Sequence, residues 1–160
     1  VCPSRCAADT GTDDAADRIE PPAIKNNKEC SMVLDSPVKS LLDGRPFAVL
    51  ATLNPDGTPQ TSVIWVARDG DVVVFTTHDR RRKSRNLRRD PRASVTVFAA
   101  DDPYRSVDIS GTVELLDDPD RSLSIELTRR YLDQDPPPDP PGSHRLIGRL
   151  TPERVTGIAT

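Results

Sequence analysis

Between Phe75 and Arg92 the chain reads Phe-Thr-Thr-His-Asp-Arg-Arg-Arg-Lys-Ser-Arg-Asn-Leu-Arg-Arg-Asp-Pro-Arg. Eight of its 22 Lys and Arg residues lie between Arg80 and Arg92, opposed only by Asp90. Two hydroxyls, Thr76 and Thr77, close an apolar run and lead into a short basic helix that Pro91 stops. The first N–H groups of a helix lack intrahelical partners, and the helix dipole favours negative charge there. Hydroxyls, cations and a helix start in one stretch therefore suit the binding of an anion, a phosphate above all. The plainer reading is a solvated helix face. Acidic partners at i,i+4 are nearly absent, however, and crowded like charges cost stability unless an anion neutralises them.

A second stretch carries polar groups among apolar ones. In Gln60–Trp65, Gln60 and Ser62 share one side of an alternating strand, with Thr61, Val63 and Trp65 on the other. Either Trp65 is core and the polar pair meets water, or the strand forms a second wall for a ligand. Other chemistry finds little support. His78 and His144 are the only histidines and have no ligand cluster around them, so no metal site is expected. Ser62 and Ser110 lie on strands without a nucleophile elbow. Asp101 and Asp102, beside Pro103, read as turn residues.

Net charge is -3, with a pI near 5.4, so the basic run is a local feature of an acidic protein. That balance, the shortness of the helix and only six Phe, Trp and Tyr residues argue against nucleic acid. No apolar run approaches the roughly 20 residues of a membrane span, and a cytoplasmic location is expected. Cys2, Cys6 and Cys30 all fall near the N-terminus, where they make neither a disulfide framework nor a complete zinc site.

Residues 1–31 lack hydrophobic periodicity and are expected to be disordered or a non-native extension ahead of a domain spanning 32–160. Val1 is what a GTG start would be written as, and Lys28-Glu29 can be encoded by a purine-rich ribosome-binding stretch before Met32.

The elements that must position the basic run follow from its flanks. Ser36-Pro37 opens a helix that Gly44 stops. Strands are expected at Phe47–Leu53, Thr58–Arg68 and Asp71–Thr77, joined by turns at Asn54-Pro55-Asp56-Gly57 and Asp69-Gly70, as an antiparallel meander. The basic helix spans about Arg80 to Arg89. Strands Arg92–Ala99 and Arg105–Leu116 follow, then a helix from Asp118 through Leu132. Asp135 to Gly142 holds five prolines and reads as a stiff loop. A last strand, Arg145–Leu150, breaks at Thr151-Pro152 and resumes at Arg154–Ile158. Six strands and three short helices predict a mainly β protein, an antiparallel barrel with helices outside.

Several segments together resemble a known family. They are Phe47-Ala-Val-Leu-Ala-Thr52, Asn54 through Trp65, Phe75-Thr-Thr77, Arg81 through Arg92 and Ser110-Gly-Thr-Val-Glu114. They are similar to the pyridoxamine-phosphate-oxidase-like, FMN-binding split β-barrel family, and most of all to its actinobacterial branch of coenzyme F420-dependent oxidoreductases. The resemblance covers roughly Val38 to Thr156. It implies a homodimer of six-stranded split barrels with cofactor at the subunit interface, the cofactor being F420 or, alternatively, FMN. It implies an F420H2-dependent reductase of a small organic substrate, an FMN-dependent oxidoreductase, or a binding protein without turnover. Carried over by position, the phosphate-binding residues fall on Arg81, Arg82 and Lys83 with Asn86 beside them. The strand-end pair falls on Thr76 and Thr77, and the cofactor-contacting strand on Gln60, Thr61, Ser62, Val63 and Trp65. No acid or base is implied; Tyr104 is the one candidate proton donor. A distinct C-terminal substrate-phosphate motif is missing, which argues against pyridoxamine phosphate as substrate.

Overall fold

The computed structural model describes residues 32–158, so the expected N-terminal extension lies outside the described residues. In chain order the elements are α1 (Ser36–Asp43), β1 (Phe47–Leu53), β2 (Pro59–Ile64), β3 (Ala67–Asp69) and β4 (Val72–His78). Then come α2 (Arg82–Arg89), β5 (Arg92–Phe98), β6 (Ser106–Asp117), α3 (Ser122–Leu132) and β7 (Arg145–Ile158). The seven strands form one antiparallel sheet in the order β2-β1-β5-β6-β7-β4-β3.

The two edge strands, β2 and β3, are neighbours in sequence, separated only by Trp65 and Val66. Laid flat, a seven-stranded sheet would hold its edges about 29 Å apart, whereas two residues bridge only about 10 Å. The sheet must therefore curl until its edges approach, which makes it a split barrel. The expected fold class stands, with two corrections. There are seven strands rather than six, because the expected strand Thr58–Arg68 breaks into β2 and β3. The meander fails for the same reason: β1 pairs with β2, but the chain then crosses to the opposite edge before β3 pairs with β4. Alternation ends at this corner, where Val66 and Ala67 are both buried. Tyr131 of α3 holds it: its hydroxyl lies 2.8 Å from the Pro46 carbonyl and 3.2 Å from that of Val66, and accepts from the Val66 N–H at 3.4 Å. Trp65 stacks on the Tyr131 ring at 5.2 Å.

The barrel interior holds the main core, including Leu50, Val66, Val73, Phe75, Val95, Val97, Ile109 and Leu150, with Val38 and Leu42 of α1 packed on it. A smaller core lies outside, where Leu123 and Leu127 of α3 cover Ala67 and Val74. β7 runs through the expected break at Pro152 because a register shift opposite Ser110/Gly111 absorbs it, as a bulge does. Gly111 is required there, since a Cβ would collide with the Thr151 carbonyl. α3 begins at Ser122, later than expected. Asp118 instead stays ahead of it and caps it, its carboxylate accepting from the Ser122 N–H and hydroxyl, each at 2.9 Å.

Candidate cofactor site

Strand β4 alternates with a period of two, so Val73, Phe75 and Thr77 face the barrel interior while Val74, Thr76 and His78 face α3 and the proline-rich loop. Thr76 and Thr77 adjoin the basic run together in sequence, but the structure places their side chains on opposite faces. The Thr77 hydroxyl is buried and donates to Ser84 Oγ at 3.1 Å, because Ser84 Oγ itself donates to the His78 carbonyl at 2.6 Å. The Thr76 hydroxyl is buried with no hydrogen-bond partner among the described residues.

The chain turns sharply after β4. The Arg81 N–H donates to the His78 carbonyl at 3.1 Å, and α2 starts with no side-chain cap. Ser84, Asn86 and Leu87 form the buried face of α2, whereas Arg82, Arg85, Arg88 and Arg89 are exposed, as is the flanking Arg81. Asn86 is 2% exposed and donates to Thr52 Oγ1 and Asn54 Oδ1, each at 3.1 Å, which ties α2 to β1. Thr52 in turn donates to Gln60 Oε1 at 3.1 Å, so Asn86 and Gln60 are linked through β1.

Lys83 differs from the other cations of the run. Its ammonium reaches across to β2 and donates to Ser62 Oγ at 3.1 Å. Among the described residues no carboxylate lies within ion-pair distance of Lys83, nor of Arg80, Arg81, Arg82, Arg85 or Arg88. Burial, and then the nearby Arg81 charge, lowers the Lys83 ammonium below the usual lysine range. A half-buried cation with one neutral acceptor and no counterion is an unfavourable arrangement by itself, and an anion would relieve it. The donor set of Lys83, Ser62, Arg81, Arg82 and the free N–H groups of the α2 start thus suits a phosphoryl group.

On β2, Gln60 and Ser62 are half-buried while Thr61 and Val63 face outward, Val63 being 69% exposed. Trp65 packs on Tyr131 and is half-buried. Tyr104 is 93% exposed in the β5–β6 turn, at the Phe98 end of β5, whereas α2 enters β5 at its Arg92 end. Seven strand residues, about 20 Å, separate those ends, so the chain does not bring its own Tyr104 to Lys83. Sequence reasoning missed Ser84, Thr52 and Asn54. The signal for Ser84 was its place as the one hydroxyl in a first helical turn otherwise made of cations.

Comparison with known proteins places this geometry among relatives. The profile described as "Pyridoxamine 5'-phosphate oxidase" matches residues 34–159. A solved structure named "F420 Reductase" is 36% identical, covers 74% of this chain and 94% of its own, and superposes with a TM-score of 0.66. A conserved hypothetical protein from Mycobacterium tuberculosis is 23% identical, with 79% of this chain and 86% of that one covered and a TM-score of 0.62. A pyridoxamine 5'-phosphate oxidase-related, FMN binding protein from Nostoc punctiforme shares the fold at 18% identity, covering 72% and 74%, with a TM-score of 0.50.

Proposed function

The chain belongs to the pyridoxamine 5'-phosphate oxidase family, and from that premise we propose that it binds coenzyme F420 and reduces a small organic substrate with F420H2. The observation that carries this reading is Lys83: a half-buried ammonium that, among the described residues, is held by the Ser62 hydroxyl and has no carboxylate counterion, at the start of a helix rich in arginines. Lys83, Arg81 and Arg82 would hold the cofactor phosphate. Gln60, Thr61, Ser62, Val63 and Trp65 mark the strand against which its ring system would lie, and Thr76, Thr77 and Asn86 belong to the frame around it. The bound cofactor would supply the hydride; the chain itself binds, orients and shields from water. Lys83 would hold its proton against the phosphate, since an anion at the ammonium opposes the loss caused by burial. The name of the 36% identical relative supports F420 over FMN.

A homodimer completes this reading. The outward face of β1, β2 and β5 presents Phe47, 43% exposed and in contact with Phe98, and the far more exposed Val63. We assign this face to a second copy, which would close the open side of β2. Val63→Glu should then convert a dimer to a monomer in sedimentation and weaken cofactor binding. The functional unit would be residues 32–160, acting in the cytoplasm; among the described residues no helix is long and apolar enough to cross a membrane. Fluorescence titration of the protein with F420 and with FMN tests the core of the proposal. Micromolar binding of F420 supports it, preferential FMN binding moves it to a flavin oxidoreductase, and failure of both removes it. Oxidation of F420H2 by an enone and quinone panel separates an enzyme from a binding protein without turnover.

A further inference from the structure

The face of β4 turned away from Lys83 carries a second charged cluster. Asp139, in the proline-rich loop between α3 and β7, is hydrogen-bonded to Arg145, lies 3.3 Å from Arg121 Nε and 3.9 Å from His78 Nε2. All four side chains are largely withdrawn from water, Asp139 being 15% exposed. The Arg145 hydrogen bond comes first among the causes that hold the Asp139 carboxyl below the usual carboxylate range. The same loop grips the β4–α2 turn through the backbone. The Asp79 N–H donates to the His144 carbonyl at 3.0 Å, and the His144 N–H donates to Asp79 Oδ1 at 3.2 Å. His78 and Arg145 are also the last register pair of the β4–β7 ladder.

His78 is thus a joint between the two faces. Its side chain sits in the Asp139 cluster. Its carbonyl, on the other side, accepts both from Ser84 Oγ at 2.6 Å and from the Arg81 N–H at 3.1 Å, the bonds that set where α2 begins. We infer that Asp139 is a positioning residue: by fixing the His78/Arg145 end of the ladder from behind, it sets the place of the β4–α2 turn, and with it Lys83. The inference rests on the cofactor reading above. Among the described residues Asp139 makes no hydrogen bond or ion pair with a residue assigned to the cofactor, and it acts through His78, Arg145 and the loop backbone.

Asp139→Asn keeps the size of the side chain and removes the charge that gathers Arg121, Arg145 and His78. Its apparent Kd for F420 and FMN should rise about tenfold, as when an outer partner that orients binding residues is lost. Hydrogen exchange at the Arg81 and Ser84 amides should quicken, and Asp139→Glu should restore both. Arg121→Gln, which leaves the Arg145 pair in place, should move both readouts the same way by a smaller factor. That variant decides the matter should Asp139→Asn fail to melt cooperatively. Unchanged Kd and unchanged exchange in a folded variant overturn the inference while the cofactor reading stands. If the wild-type protein binds neither cofactor, both readings fall together.

Discussion

The two faces of β4 hold cations in opposite ways. Behind the strand, the cations Arg121 and Arg145 gather around one internal carboxylate, Asp139, with the His78 imidazole beside them. In front of it, among the described residues, Lys83 has only the Ser62 hydroxyl, and Arg81 and Arg82 have no carboxylate. Removing charges from water is costly, and a protein recovers the cost only where partners are close and well placed. The rear cluster carries its own partner, so its charges hold the fold together. The front group has none among the described residues, so its charge is available to a ligand. The difference between the faces is the counterion, not the number of basic residues.

The contrast can be broken most forcefully at Asp139. Asp139→Asn leaves largely buried cations without their acid, and should destabilise the protein by about 3 kcal/mol in urea unfolding. A loss under about 0.5 kcal/mol, the range of ordinary surface changes, would show the rear cluster to be ornamental. Lys83→Ala should do the reverse. It should cost about 1.5–3 kcal/mol of cofactor affinity by titration, as for a charge-assisted hydrogen bond, while unfolding of the free protein stays within about 1 kcal/mol of wild type.

The pH responses should also diverge. Burial, and then the Arg145 charge, lowers His78 below its ordinary 6.5, so the unfolded chain takes up that proton first. The melting temperature should therefore fall as pH drops below about 6.5, and fall further below about pH 4 as Asp139 is protonated. At the front face Lys83 binds an anion only while protonated. Cofactor affinity should weaken as pH rises through its lowered pKa, before the ordinary 10.5 is reached. Affinity that is flat up to pH 10 would place the phosphate elsewhere. The smallest effect is expected for Arg88→Gln on the exposed face of α2: within about 0.5 kcal/mol for stability, and no more than about twofold in cofactor affinity.

Much of this was legible in the chain. The hairpin turns, the basic helix between β4 and β5, and the alternation of β6 follow from local rules, since turn residues and hydrophobic period act within a few positions. The separation of Thr76 from Thr77 was legible too, because alternation forbids neighbours on a strand from sharing a face. The split of the expected Thr58–Arg68 strand was not, because what holds the corner at Val66 is a hydroxyl 65 residues away on α3.

By its own residues the sequence determined that eight cations would crowd one short segment, with a helix start available for an anion. It also determined the family to which the chain belongs. Which cation would be drawn inward was decided only by the closed sheet, which brings β2 across from α2 so that Lys83 meets Ser62 while its neighbours stay in water. The tertiary structure likewise turned an aspartate in a proline-rich loop into the counterion of Arg121 and Arg145. Both outcomes depend on groups distant in sequence. Local propensity sets the elements, but desolvation and pairing are settled only when those elements pack.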